Sequence, residues 1–106
     1  MLKRLGYFRE MIAGEITDPS VFDYIYKGTY ENKEKLCNYL RKGEVFAAYG
    51  GIPCDVVDNS NENVELPDVL TDSVWYWPGD LAYYIEKYDV KIDEKFVQYV
   101  KEKMNG

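Results

Sequence analysis

The chain has 106 residues, 46% hydrophobic and 30% charged, with 13 basic side chains, 19 acidic ones, no histidine and a net charge of −6. One domain is expected, since domains typically run to about 100–150 residues and a chain of this size buries roughly two-thirds of its unfolded surface. The missing histidine excludes Ser-His-Asp and Cys-His catalysis and the commonest metal ligand, and the acidic balance disfavours nucleic acid or an anionic membrane as partner.

The first residues, Met1 to Gly6, carry Lys3 and Arg4 but no apolar stretch behind them, because Arg9, Glu10 and Glu15 interrupt it. No signal peptide is expected, and no window approaches the roughly 18 apolar residues of a membrane span. The two cysteines, Cys37 and Cys54, are few for a secreted scaffold and read as reduced thiols of a cytoplasmic protein. Leu5, Tyr7 and Met11 alternate weakly, consistent with a short strand or a docking arm.

Asp18-Pro19 has the chemistry of a helix start, an acid to cap and a proline at the first helical position. Val21, Tyr24 and Ile25 then share one face and Gly28 is a stop signal, which predicts a first helix up to Gly28. Asn32 caps a second helix, with Leu36, Tyr39 and Leu40 on its apolar face, Arg41 and Lys42 in its last turn and Gly43 after it. With residues 29–32 as the connection, the two make an N-terminal helical hairpin.

Val45 to Tyr49 is an apolar run that reads as a buried strand, followed by a Gly50-Gly51 turn. Cys54 to Val57 is a second candidate strand, and Asp58 to Asn63 a polar loop with nothing to anchor it. Val64–Leu70 and Val74–Trp77 flank Asp72-Ser73, a hairpin signal. The period of two puts Val74 and Tyr76 on one face of the last strand and Trp75 and Trp77 on the other. Pro78-Gly79-Asp80 opens a third helix with Leu81, Tyr84, Ile85 and Tyr88 as its stripe. Asp93 caps a fourth, with Phe96, Val97, Val100 and Met104 inward and Ile92 stapled against Val97. The expected class is α+β: a helical hairpin, a small antiparallel sheet of three to four strands, and two C-terminal helices.

Charge along the chain is uneven. Gly43 to Glu86 holds nine acids and no base, whereas elsewhere 13 bases outweigh 10 acids. No phosphate loop or dinucleotide fingerprint is present. Asp58-Asn59-Ser60-Asn61-Glu62 has the look of a calcium loop but lacks its central glycine, and Val69 stands where the bidentate glutamate belongs. No enzyme, metal or cofactor is expected. Aromatic residues make up 16% of the chain. Tyr24, Tyr39, Tyr84 and Tyr88 fit core stripes, while Trp75, Tyr76 and Trp77 suit core and interface equally, being types enriched at binding hot spots.

The run Asp68-Val69-Leu70-Thr71-Asp72-Ser73-Val74-Trp75-Tyr76-Trp77-Pro78-Gly79-Asp80-Leu81-Ala82-Tyr83-Tyr84, with Lys87-Tyr88 and Phe96, resembles the C-terminal half of small bacterial immunity proteins of polymorphic and contact-dependent toxin systems. That half has a Thr-Asp-Gly turn, an aromatic strand ending in Trp-Pro and an Asp-Leu-x-Tyr-Tyr helix; here Ser73 replaces the glycine. Gly6-Tyr7-x-Arg9-Glu10-Met11 and Tyr30-x-Asn32-Lys33 are similar too. The likeness spans the 29 residues from Asp68 to Phe96 and carries no site residues with it. It implies a protein that neutralises a cognate toxin's catalytic domain, a basic nuclease among the candidates. On charge and residue type, Asp55, Asp58, Glu62, Glu65, Asp68 and Asp72 are the expected electrostatic contacts and Trp75, Tyr76 and Trp77 the anchors. The alternative is a regulatory or ligand-binding module with an aromatic pocket around Trp75 and Trp77.

Overall fold

The computed structural model describes residues 1–51, 53–59 and 64–105 and has an α+β fold. Its elements are β1 (Lys3–Arg4), a 3-10 turn (Val21–Asp23), α1 (Lys33–Arg41), β2 (Glu44–Ala47), β3 (Val69–Thr71), β4 (Trp75–Pro78), α2 (Leu81–Tyr88) and α3 (Glu94–Asn105). Among the described residues no helix is long and apolar enough to cross a membrane.

The strands form one sheet in the order β1-β4-β3-β2. β2 and β4 both run antiparallel to β3, but β1 runs parallel to β4, so the sheet is mixed rather than wholly antiparallel. The N-terminal arm causes this. The amides of Lys3 and Leu5 donate to the carbonyls of Val74 and Tyr76, each at 2.9 Å, and Leu5, Phe8 and Met11 enter the core behind them.

The first helix of the expected hairpin is absent, and only Val21–Asp23 coils, as one 3-10 turn. Long-range partners outcompete helix propensity here. Asp18 does not cap; its carboxylate takes both guanidinium nitrogens of Arg4. Ser20 caps instead, while Glu10 accepts from the Ser20 hydroxyl and the Val21 amide. Beyond the turn the backbone bonds to the end of α2, with Tyr26 N–H donating to Tyr88 O at 2.7 Å and Lys91 N–H to Tyr24 O at 3.0 Å. Tyr26 takes φ +59°, which no right-handed helix tolerates.

Helix α1 starts as its sequence dictates, with the Asn32 side chain accepting from Lys35 N–H at 3.2 Å. Leu36, Cys37 and Leu40 are buried. Gly43 then lets the chain pass the core indole, since a Cβ there would lie 2.8 Å from the Trp77 ring. The apolar run after it does form a strand, but not a buried one: β2 is the last strand of the sheet and all four of its residues are exposed. Cys54–Val57 makes no strand; Asp55 forms one isolated bridge and residues 56–59 turn. Asp58 and Asn59 are exposed, and the rest of the expected loop, Ser60 to Asn63, lies outside the described residues.

The hairpin at Asp72-Ser73 is present. Asp72 accepts from the amides of Val74 and Trp75, Thr71 accepts from Ser73 N–H, and Ser73 sits at φ +79° where the resembling proteins have glycine. The alternation of β4 also follows the period of two. Trp75 and Trp77 pack on Phe96 of α3, with ring centroids 5.3 and 5.6 Å apart, and Trp77 Nε1 donates to Leu40 O. Leu81, Tyr84, Ile85 and Tyr88 of α2 and Phe96 and Val100 of α3 complete the core beside them, with Ile92 buried, Val97 half-buried and Met104 exposed. Asp93 caps α3 by accepting from Lys95 N–H at 2.9 Å.

Candidate functional site

Several carboxylates of the acidic block do not face outward, because the fold buries them or engages them with its own groups. Asp55, expected at the surface, is wholly buried. One of its oxygens accepts from the Tyr83 and Tyr88 hydroxyls, each at 2.6 Å, and from Lys87 Nζ at 3.3 Å. The other accepts from the amides of Val57 and Asp58. Burial by itself would raise this carboxyl; the two phenols and two amides outweigh it and hold the group down at about 2. The cluster fastens residues 55–58 to α2, helped by Tyr84, whose hydroxyl donates to Cys54 O and accepts from Val56 N–H.

Asp72 is similarly engaged. Besides the hairpin amides it accepts from Tyr39 Oη at 2.5 Å and Tyr99 Oη at 3.0 Å, with Lys103 over both rings. Burial pushes its carboxyl up, and the amides of Trp75 and Val74 and the two phenols bring it below its ordinary value. Glu65 and Glu86 both pair with Arg41. Asp80 stands at the start of α2 without capping it, and its Oδ1 has no hydrogen-bond partner. Gly79 permits a tight crossing above it, a Cβ there falling 2.3 Å from Leu66 O, and the residue is 2% exposed. Burial raises the Asp80 carboxyl to about 7, with Glu65 adding to the effect.

Trp75 and Trp77 are likewise withdrawn, at 5% and 1% exposure. α1 and α3 cover their face of the sheet, through Tyr39 and Phe96. Glu62 lies outside the described residues. Of the expected contacts, Asp58 and Asp68 remain with carboxylates that no cation reaches among the described residues, and Tyr76 is half-buried.

What is exposed instead is β2. Val45, Phe46 and Tyr49 are 63%, 59% and 43% exposed, an apolar content unusual for a strand facing water. Val45 stands opposite Leu70 and Ala47 opposite Val69, so Phe46 is the extra residue of a bulge. Its ring lies 6.3 Å from that of Tyr76, which in turn lies 5.9 Å from that of Tyr7. Two acids bracket the strand. Glu44 begins it, and Asp68, just before β3, accepts from Tyr49 N–H at 3.2 Å at the far end. Glu44 too has no cation partner among the described residues. Val45 and Phe46 were visible in the sequence as an apolar run; what it could not say is that they stand exposed at the edge of the sheet.

A groove of about 640 Å³ opens elsewhere, between α1 and α3, over Leu36, Val97 and Val100. The Lys101–Glu31 ion pair spans residues at its rim. It contains nothing from the base-free block. Among the described residues no three acids or cysteines gather as a metal site. Compared with known proteins, the chain matches no family model, no curated protein and no solved structure.

Proposed function

We propose that this chain is a protein-binding inhibitor, an immunity protein that neutralises a cognate bacterial toxin domain by covering it. The observation that carries this function is the exposed β2 strand, where Val45, Phe46 and Tyr49 lie between the uncompensated carboxylates of Glu44 and Asp68. Exposed aromatic and aliphatic side chains with an acidic rim are the composition of a surface that buries an apolar centre and selects its partner by charge. The sequence likeness over Asp68–Phe96 supports the same function, and that stretch includes β3, the strand with which β2 pairs. The ligand-binding alternative loses ground because Trp75 and Trp77, the proposed pocket walls, fill the core.

The test is co-expression with the product of the neighbouring gene in its native host, read as survival and as co-purification. Replacing Phe46 by alanine should weaken binding by about 2–4 kcal/mol if its ring is a central anchor. Reversing Glu44 and Asp68 to lysine should slow association and flatten its salt dependence. Unchanged binding in all three variants excludes β2 as the inhibitory surface.

A further inference from the structure

Resting on the neutralising function above only for the existence of a partner, we propose that the partner docks by adding a strand to β2. The added strand is an extended segment with apolar side chains in its middle and lysine or arginine at its ends.

β2 pairs with β3 on one side, and no described strand lies on the other, so a row of its backbone N–H and C=O groups is open to a new strand. Edge strands are commonly protected by lysine, proline or a bulge. β2 has no lysine and no proline, and of these devices carries only one bulge, at Phe46. The opposite edge of the sheet differs: β1 is only two residues long and carries Lys3 and Arg4. The sheet therefore has one guarded edge and one open edge.

Length and charge define the occupant. Four residues of β2 span roughly 13 Å at about 3.3 Å per residue, so the added strand is short. Glu44 begins that span, and the carboxylate of Asp68, held on Tyr49 N–H, lies just beyond its far end; both lack cation partners among the described residues, which favours a basic residue at each end of the newcomer. Between them Val45 and Phe46 offer apolar contact on either side of the strand. A second copy of this chain is the other obvious occupant. It would set base-free segment against base-free segment, acid facing acid, and is disfavoured on that ground.

The experiment uses the whole chain and three capped peptides: Lys-Val-Thr-Val-Lys, the same peptide N-methylated at alternate residues, and Glu-Val-Thr-Val-Glu. Amide hydrogen exchange and backbone NMR shifts are read across the protein. The lysine peptide should slow exchange and move shifts at residues 44–47. N-methylation, the glutamate ends, and the Glu44→Gln/Asp68→Asn double variant should each weaken this at least about tenfold. Equal binding by the N-methylated peptide, perturbation away from β2, or no binding of the lysine peptide overturns strand addition. So does concentration-dependent dimerisation that protects β2. These outcomes are separate from neutralisation. A toxin that is inhibited while residues 44–47 stay unprotected leaves the inhibitor standing and removes the added strand. A chain that protects β2 with the lysine peptide but rescues no cell does the reverse.

Discussion

Replacing Asp80 by asparagine should make the protein's stability less dependent on pH, and by a calculable amount. The carboxyl is 2% exposed, its Oδ1 is unpartnered, and burial raises it from an ordinary 3.8 to about 7. The folded state thus binds this proton more tightly than the open chain does. The associated cost is absent below about pH 4, grows as pH rises, and levels off above about pH 7. At roughly 1.4 kcal/mol per unit the full cost is about 4 kcal/mol, more than half of which accrues between pH 5 and pH 8. Asparagine keeps the shape and cannot ionise. Any constant penalty from its own buried amide cancels when the two pH values are compared. Urea unfolding followed by the fluorescence of the buried Trp75 and Trp77 measures both proteins at both pH values. The stability of Asp80→Asn relative to the parent chain should improve by about 2–3 kcal/mol from pH 5 to pH 8. A gap that does not change with pH refutes the burial of a titrating carboxyl at the start of α2.

Asp55 should show the opposite sign. Its carboxyl is held at about 2 in the fold, so the stability it contributes is present above about pH 4 and is lost as pH falls toward 2. Asp55→Asn should cost about 2 kcal/mol at pH 7, measured by the same urea titration, and should expose residues 55–58 to protease. Ser73→Gly should stabilise by about 1 kcal/mol, because Ser73 occupies φ +79°; thermal melts report it. Phe46→Ala should leave unfolding unchanged to within about 0.5 kcal/mol, its ring being mostly in water. A thiol reagent should modify the exposed Cys54 in the native protein, whereas Cys37, buried and pushed up to about 11, should react only on unfolding; mass spectrometry of the timed reaction separates them.

The local signals in the sequence were sound wherever neighbours in the chain were also neighbours in space. Asn32, Asp93, the stripe from Leu81 to Tyr88 and the Asp72 hairpin all behave as their spacing dictates. Failure came where a distant group intervened. Asp18-Pro19 is a fair helix start, but Arg4 claims the carboxylate that would have capped it. The apolar run at Val45 marks a strand without revealing its place at the sheet's edge. The fate of the acids was hidden for the same reason, although one clue was present. Eleven tyrosines with several on core stripes require hydroxyl acceptors, and Asp55 and Asp72 are those acceptors, each taking two phenols. The charge of the base-free block is therefore partly an internal supply of acceptors, and among the described residues Glu44, Asp58 and Asp68 keep carboxylates without a cation partner.

The parallel pairing of β1 with β4 has a consequence for how the protein is made. Lys3 and Arg4 leave the ribosome roughly 70 residues ahead of their strand partners, Trp75 and Tyr76. At a synthesis rate of roughly 5–20 residues per second that is a wait of about 4–14 s. Throughout it, Leu5, Phe8 and Met11 have no sheet to pack against. The arm that closes one edge of the sheet is thus made before the strand it docks on.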